Sequence, residues 1–227
     1  MTTRRSDGLE TRRRLLEAAA SVFAAKGFQD ARTAGICRLA KANIAAVNYH
    51  FGSKEDLYVE AWRHVFKRSI AAYPPDGGVP ATAPAADRLR GQILAVMQRI
   101  MDPASLDFDI VHKEMANPTG LLSEVMRRSI EPMRQQSLAV VRDLLGAHAT
   151  EQQVRLCEMS IHSQCFGPLM HERHRRNLPE EGKHPGPRPK EISWAALADH
   201  VFRFSLAGIR EVRRLSTSPS QTLPATP

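Results

Sequence analysis

The segment Thr33–Tyr58 reads TAGICRLAKANIAAVNYHFGSKEDLY. Its apolar spacing predicts two short helices, at residues 33–40 and 44–50, with only three residues between them. This arrangement is that of a helix-turn-helix, whose first helix braces a second one that lies in the DNA major groove. The residues of the second helix expected to face a small core are Ile44, Val47 and Phe51. Those expected to point outward are Ala45, Ala46, Asn48 and Tyr49.

Helical spacing of apolar residues continues through most of the chain, and no segment alternates with period two over a useful length. A first helix around Leu15–Phe23 is expected to end at Gly27, a C-cap. Ser53-Lys54-Glu55-Asp56 resembles a capping box that opens a fourth helix. That helix is predicted to turn inward Leu57, Tyr58, Ala61, Trp62, Val65 and Phe66. Five further helices complete an all-α fold of about nine helices.

Proline marks the interruptions between these helices, because it cannot donate a helical hydrogen bond. Eleven of the 15 prolines lie in three stretches: Pro74–Pro84, Pro179–Pro189 and Pro219–Pro227. The first two stretches are predicted loops, and the third is a predicted frayed tail. A kink is expected at Pro132 inside the seventh helix.

Positive charge is concentrated near the N-terminus. The chain has 32 Lys and Arg against 24 Asp and Glu, a net charge of +8, and residues 1–68 hold 13 of the basic and 7 of the acidic residues. A small basic segment joined to a nearly neutral remainder favours a module that binds a polyanion. A basic surface that only meets solvent is the alternative that charge alone leaves open.

Several other classes of protein fit the sequence poorly. No stretch approaches the ~20 consecutive apolar residues of a membrane span, and no apolar region follows the N-terminal arginines as in a signal peptide. The three cysteines, Cys37, Cys157 and Cys165, have no C-x-x-C spacing, which disfavours a disulfide framework. A cytoplasmic protein without a membrane partner is therefore expected.

Motifs of catalysis and metal binding are absent from the sequence. It has no G-x-S-x-G elbow, phosphate-binding glycine loop, H-E-x-x-H motif or paired carboxylates, so no enzyme activity is predicted. A metal alternative rests on His171 and His174, which have Glu172 between them. Its other candidate ligands are His162, Cys165 and His112. None of these has the spacing of a zinc signature, so no metal and no cofactor is predicted.

The N-terminal segment resembles the DNA-binding domain of TetR-type transcriptional regulators over residues 9–62. The resemblance is carried by Gly27-Phe28, by residues 36–40 and by the run Asn43–Tyr58, most specifically by YHFGSK at residues 49–54. It implies an N-terminal three-helix domain with a helix-turn-helix, followed by a larger helical domain that binds a ligand and dimerises. The boundaries expected are 1–53 for DNA binding, 54–216 for effector binding and dimerisation, and 217–227 for a disordered tail.

A second resemblance is to the CecR-like subgroup of these regulators. It is carried by NIAAVNYHF at residues 43–51, HKEMANPT at 112–119 and Ser163-Gln164-Cys165. The chain departs from the family at Lys41, where glycine is usual, so the turn is expected to be shaped differently. Ala31 and Arg32 stand where the family often has small hydroxyl residues that cap the second helix, so Asp30 or Thr33 is expected to cap it instead.

The resemblance implies that Tyr49 and Lys54 grip phosphates, Lys54 being helped by the free amides at the start of helix four. Asn48 is the candidate base reader, because a carboxamide pairs bidentately with adenine. Two alternatives stay open: Tyr49 packs on the core, and His50 holds the helix without contacting DNA. The predicted DNA-binding residues are Thr33, Lys41, Asn43, Ala45, Ala46, Asn48, Tyr49, His50 and Lys54. Arg4, Arg5 and Arg12 are candidates for further contacts with phosphates or the minor groove. The alternative is that they belong to a disordered tail.

All seven internal methionines lie between residues 97 and 170. Methionine is flexible and polarizable, which suits a cavity for varied apolar ligands, although filling gaps in an irregular core is an equal alternative. The resemblance implies that a small molecule binds in this part of the chain and releases DNA. The predicted effector-binding residues are Met97, Met101, Phe108, His112, Met115, His162, Gln164 and Phe166. Glu114 is a further polar candidate.

Helix nine has an apolar face that needs a partner. Its residues, spaced by three and four, are Trp194, Leu197, Val201, Phe204, Gly208, Val212 and Leu215. The resemblance implies that helices eight and nine form a four-helix interface with those of a second copy. A two-fold symmetric dimer then predicts a palindromic operator.

These observations predict a ligand-responsive transcriptional regulator, in particular a repressor released from a palindromic double-stranded DNA operator by a small-molecule effector. The alternative is a non-specific or architectural DNA-binding protein without such an effector, since basic charge alone gives non-specific binding. The nearly neutral C-terminal two thirds disfavour that alternative, because they add nothing to phosphate binding.

Overall fold

The computed structural model describes residues 2–176 and 193–217. Within these ranges the chain forms nine helices and no strand, which confirms the all-α prediction. The helices are α1 (Thr2–Asp30), α2 (Thr33–Ala40), α3 (Ile44–Phe51), α4 (Lys54–Ala72), α5 (Ala85–Met101), α6 (Asp107–Ala116), α7 (Ser123–Leu145), α8 (Glu151–Arg176) and α9 (Trp194–Thr217). None of the described helices is long and apolar enough to cross a lipid bilayer. The predicted tail beyond Thr217 and the loop Pro179–Pro189 lie outside the described residues.

A break inside α1 falls at Gly27, where φ is 75° and ψ is 178°. The predicted helix end at Gly27 is confirmed to that extent, but helical residues resume and the element continues to Asp30. A Cβ at this position would lie 3.5 Å from the Cβ of Lys113, which is an ordinary contact. The need for glycine therefore comes from the left-handed backbone and not from lack of space.

The chain divides into two compact units that are not continuous in sequence. Unit 1 combines the residues up to Ala72 with Asp102–Ile130, and unit 2 combines Tyr73–Met101 with the residues from Glu131 onward. These units do not coincide with the predicted boundary at residue 53, because α4 and α6 both pack against α1. The assignment of functions to residues 1–53 and 54–216 stays a prediction, as does the kink at Pro132.

The core of unit 1 is aromatic. Tyr58 of α4 meets the ring of Phe23 edge-on at a centroid distance of 4.7 Å and the tilted ring of Phe28 at 5.1 Å. Trp62 stacks on Phe66 at 4.8 Å. All six residues that were predicted to face inward from α4 are buried, as predicted.

Helix α3 meets this core with fewer residues than predicted. Val47 and Phe51 are buried, but the side chain of Ile44 is 53% exposed, so the prediction that it faces the core is wrong. Ile44 is the first residue of α3 and therefore lies at the edge of the core that Val47 and Phe51 enter one and two turns later.

Unit 2 is built around α5, α8 and α9, which pack against one another. Their buried apolar residues include Leu89, Ile93 and Met97 of α5, Val154, Ile161, Cys165 and Leu169 of α8, and Ala198, Val201 and Ile209 of α9. The loop that precedes α5 approaches this helix closely: a Cβ on Gly77 would lie 2.4 Å from the carbonyl oxygen of Gly91.

Candidate nucleic-acid interface

The turn between α2 and α3 is closed by a lysine in a left-handed conformation. Lys41 has φ 52° and ψ 47°, and is the one non-glycine residue with positive φ in the described part of the chain. The Lys41 amide donates to the carbonyl of Arg38 at 3.2 Å, and the Ala42 amide donates to that of Cys37 at 2.9 Å. This pair of bonds is a Schellman motif, the one that glycine normally closes. The expectation of a differently shaped turn is therefore wrong.

Lys41→Gly is expected to stabilise the fold by up to about 1.5 kcal/mol. A left-handed conformation costs an L-residue roughly 1–2 kcal/mol, and glycine removes this cost while losing about 0.5–1 kcal/mol through its freer unfolded chain. Urea denaturation measures the difference. Lys41→Ala is the control, because it retains the strain and removes the ammonium group. A glycine variant less stable than the alanine variant would contradict this explanation.

No side chain caps the start of α2. The N-cap position is held by Arg32, which makes no capping side-chain bond, so the expected cap from Asp30 or Thr33 is not formed. Instead, the carbonyl of Arg32 accepts from the amides of Gly35 and Ile36 at 2.9 and 3.2 Å. Thr33 is already the first helical residue, one position too late to act as the N-cap.

The start of α3 is capped by Asn43. Its Oδ1 accepts a hydrogen bond from the amide of Ala46 at 2.8 Å. Asn43 was predicted to bind DNA, and the structure gives it a local role as well, because this bond fixes where the helix begins. Its side-chain NH2 group makes no bond within the described part of the chain.

The outward face of α3 has the composition predicted for it. Ala45, Asn48 and Tyr49 are exposed, and Ala46 is partly exposed. The side chain of Tyr49 is 84% exposed, which rules out the alternative that it packs on the core. His50 is half-buried, and its ring meets that of Tyr49 edge-on at 4.9 Å. The face therefore offers one carboxamide and one phenol to a partner.

Lys54 stands at the first position of α4, directly after an N-cap serine. The Ser53 hydroxyl accepts from the Asp56 amide at 3.0 Å, which forms one half of the predicted capping box. The Asp56 carboxylate accepts from the same hydroxyl at 2.6 Å and not from the Ser53 amide, as a complete box would require. The Lys54 Nζ lies 4.4 Å from the centroid of the Phe28 ring. A cation–π contact thus restrains an ammonium group beside the free amides of a helix N-terminus. The sequence analysis did not predict that Phe28 contacts the Lys54 ammonium group.

The arginines of α1 are less available than predicted. Arg12 donates to the Glu60 carboxylate at 2.9 Å, and its guanidinium lies 5.1 Å from the centroid of the Phe51 ring. Arg12 therefore braces α1 against α3 and α4. The side chains of Arg4 and Arg5 lie outside the described residues. Thr33 is half-buried at the start of α2.

The predicted effector-binding residues are divided between the two units. Met97, Met101, His162, Gln164 and Phe166 belong to unit 2, and Phe108, His112 and Met115 belong to unit 1. Met97 and Phe108 are buried, whereas Met115 is 76% exposed. His162 stacks on Phe166 at 5.8 Å, and the Gln164 amide donates to the carbonyl of Ser160 at 3.2 Å. Their role in binding stays a prediction.

Two features of unit 2 were not predicted. Glu158 has a side chain only 6% exposed, with an oxygen 3.6 Å from His162 Nε2 and 3.9 Å from Arg134 Nε. An open groove of about 370 Å³ contains none of the predicted effector-binding residues. It is lined by Gly77, Val79, Asp87, Arg90, Gly91, Leu94, Ala95 and Gln98. The Glu158–Arg134 contact joins two helices, and the groove lies where a loop packs against α5. The apolar spacing of the sequence records neither kind of packing.

The metal alternative gains no geometric support in the part of the chain that the structure covers. Among those residues, no three His, Cys, Asp or Glu side chains are grouped to hold an ion. Burial raises the pKa of the Cys165 thiol to about 12, which keeps it protonated and a poor ligand. The side chain of His174, one of the candidates, lies outside the described residues.

Two family models match the chain. The model described as "Bacterial regulatory proteins, tetR family" matches residues 15–61. The model described as "HTH-type transcriptional dual regulator CecR, C-terminal domain" matches residues 85–209, which is more than half of the chain. Both resemblances expected from the sequence are thereby confirmed.

A relative and two solved structures agree with these matches. The HTH-type transcriptional repressor NicS of Pseudomonas putida is 41% identical over 56 residues, which span 25% of this chain and 26% of that protein. A TetR-like transcriptional regulator from Rhodococcus sp. RHA1 has a TM-score of 0.64 at 16% identity, covering 88% of this chain and 96% of its own. The fatty acid degradation regulator FadR from Bacillus halodurans has a TM-score of 0.64 at 13% identity, with the same coverage.

The solved structures, at these identities, establish the fold, and NicS corresponds to this chain over about a quarter of its length. The decisive match is the C-terminal one, because it covers most of the helices outside the helix-turn-helix. The chain therefore belongs to the TetR family of transcriptional regulators, in the group that carries the C-terminal domain of the dual regulator CecR.

Proposed function

We propose that the protein is a ligand-responsive repressor, which binds a palindromic operator as a homodimer and leaves it when a small-molecule effector binds. The observation that carries this proposal is the outward face of α3, where Asn48 and Tyr49 are exposed on a helix that is capped at its start and anchored by two buried residues. The repressor NicS, which is 41% identical to this chain over 56 residues, supports the repressor assignment.

Each predicted DNA-binding residue is proposed to act according to its chemistry. Asn48 reads a base edge in the major groove. The side chains of Ala45 and Ala46 contact thymine methyl groups and are small enough to let the helix backbone approach the DNA closely. Tyr49, Lys41 and Lys54 contact phosphates on either side of the helix. Asn43 contributes through its NH2 group, because its oxygen is engaged with the Ala46 amide. Thr33 and His50 complete the proposed surface.

Dimerisation is proposed to use apolar residues that the chain leaves uncovered on α8 and α9. Phe204 and Leu215 of α9 are 62% and 54% exposed, and Leu156 and Met159 of α8 are 48% and 56% exposed. On α9 the buried residues are Ala198, Val201, Ser205 and Ile209, so Val201 of the predicted apolar line belongs to the core of unit 2. Phe204 and Leu215 lie on the flank beside this buried face, where a second copy can meet them. Apolar faces of this kind on neighbouring helices favour a protein–protein interface.

Release from DNA is proposed to follow from effector binding among the predicted effector residues. The effector shifts the population only if it binds the conformation that cannot hold DNA more tightly than the one that can. By linkage, operator DNA then weakens effector binding by the same factor. A small molecule that lowers operator affinity and is itself bound less tightly in the presence of operator would meet both requirements.

Selection of random duplex DNA by the purified full chain tests the proposal. A palindromic sequence is expected to be enriched, and its affinity is expected to fall steeply between ~50 and 200 mM salt as neutralised phosphates release counterions. The stoichiometry is expected to be one dimer per palindrome. Uniform weak binding without enrichment would instead support the non-specific DNA-binding alternative, and an affinity insensitive to salt would contradict both.

A further inference from the structure

Glu114 lies in the HKEMANPT segment at the end of α6, and its carboxylate collects hydrogen bonds from two directions. Oε1 accepts from the amides of Thr119 and Gly120, both at 2.9 Å, and from the Thr119 hydroxyl at 2.8 Å. Oε2 accepts from the Tyr58 hydroxyl at 3.0 Å. One side chain thus ties the turn between α6 and α7 to α4.

Tyr58 connects this carboxylate to the aromatic cluster of unit 1. Its ring is fully buried and contacts both Phe23 and Phe28. Burial and the bond to Glu114 raise the pKa of Tyr58, so its hydroxyl remains a proton donor at neutral pH. The orientation of the Tyr58 ring, and hence of the rings that pack on it, is therefore tied to Glu114.

The last contact in this series reaches the predicted DNA surface. The Phe28 ring packs against the Tyr58 ring, and the Lys54 Nζ lies 4.4 Å from the centroid of the same Phe28 ring. A cation–π contact is directional, because the cation must lie over the face of the ring. A change in the tilt of Phe28 would therefore move the site that the ammonium group occupies.

We infer that Glu114 is a positioning residue for DNA binding, which holds Lys54 in place for a phosphate through Tyr58 and Phe28. This inference rests on the proposed function, since it requires Lys54 to meet DNA. The carboxylate suits the role because all of its partners are donors, and a glutamine would present its NH2 group to one of them. Glu114 was expected to orient an effector, but its oxygens are engaged within unit 1.

The test uses Glu114→Gln, Tyr58→Phe and Lys54→Ala in the full chain, with duplexes of unrelated sequence as well as any selected operator. Phosphate contacts do not depend on sequence, so the slope of affinity against salt is measurable even if no operator exists. Glu114→Gln is expected to lower affinity roughly fivefold on every duplex and to lower the salt slope of the dimer by about two, because each subunit no longer neutralises one phosphate. Tyr58→Phe is expected to do the same without touching the Thr119 bonds.

Non-additivity separates positioning from a general loss of structure. Lys54→Ala should have little further effect in the Glu114→Gln background, because the two changes remove one and the same phosphate interaction. Glu124→Gln is the control: among the residues described, this exposed glutamate of α7 pairs with Arg127 and Arg128 of its own helix, and its substitution removes the same charge. Thermal unfolding checks that each variant is folded.

Three results would overturn the inference. They are an unchanged salt slope in folded Glu114→Gln, full additivity with Lys54→Ala, and an effect of Glu114→Gln that Tyr58→Phe does not share. The third result would place the effect in the turn between α6 and α7. Failure of the wild-type chain to enrich any operator would count against the proposed function. The salt slopes of the Glu114, Tyr58 and Lys54 variants on unrelated DNA would still test the role of Glu114.

Discussion

Asn48→Ala, which removes the carboxamide from both subunits of the proposed dimer, is expected to lower affinity for the selected operator at least roughly 30-fold while leaving affinity for unrelated duplexes almost unchanged. A bidentate pair between a carboxamide and adenine contributes about 1–3 kcal/mol of discrimination, and the alanine variant cannot form it. The side chain is exposed on α3, so the substitution leaves the buried core intact. Competition between labelled operator and unlabelled random DNA measures both affinities.

The neighbouring residue supplies the matched comparison for Asn48. Tyr49→Phe removes only the hydroxyl group of a side chain that is 84% exposed, and without its hydrogen bond to a phosphate all duplexes should bind more weakly to the same degree. A uniform weakening for Asn48→Ala as well would assign Asn48 to the phosphate backbone. The base-reading role would then be wrong.

The helix-turn-helix could be predicted from sequence because its signals are local. The predicted first helix, residues 33–40, has the observed bounds of α2, and the second differs from α3 only by including Phe51. Apolar spacing, the short turn and the serine cap of α4 all lie within a few residues of the structure they specify. The family resemblance added the identity of the motif but was not needed for its position.

The turn itself shows what a local pattern does not settle. Lys41 in place of glycine suggested a different geometry, yet the chain keeps the Schellman bonds with a strained residue. The packing of Val47 and Phe51 under α3 depends on where this turn places the helix, and their burial offsets a local cost of roughly 1–2 kcal/mol. Tertiary packing here overrides the intrinsic preference of a single residue.

Contacts between distant residues account for most of what sequence did not reveal. Lys54 rests on Phe28, and Glu114 bonds to Tyr58, 56 residues away. The buried Glu158 and the exposed Met115 likewise reverse what their types suggest, since most glutamates are exposed and most methionines are buried. The sequence shows that the internal methionines lie between residues 97 and 170, but it does not show which of their side chains are buried.

Gly77→Ala is expected to destabilise the fold by about 2–5 kcal/mol, a larger effect than the one expected for Lys41→Gly. The residue has φ +64°, and a Cβ there would lie 2.4 Å from the carbonyl oxygen and 2.5 Å from the carbonyl carbon of Gly91. These atoms belong to the backbone of a helix, so they cannot swing aside as a side chain would. The strain of the positive φ adds to this clash.

Gly78 separates the two contributions. It has φ +72°, but a Cβ there would meet nothing within 4 Å, so Gly78→Ala should cost only the roughly 1–2 kcal/mol of a left-handed alanine. Urea unfolding of both variants, monitored by circular dichroism, gives the difference. Equal losses of stability at the two neighbouring positions would show that the loop does not press on α5 as the structure describes.

The close approach of the loop to α5 can also be tested by substituting Gly91 in the helix. There the backbone preference favours alanine over glycine, whereas at Gly77 it favours glycine. Alanine favours a helix interior over glycine by about 1 kcal/mol, so Gly91→Ala would stabilise α5 if the loop were distant. In the structure its Cβ would lie 2.6 Å from a Val79 methyl carbon and 2.8 Å from the Asp76 carbonyl oxygen. A net loss of stability therefore requires the close approach of loop and helix, because the propensity of alanine alone predicts a gain.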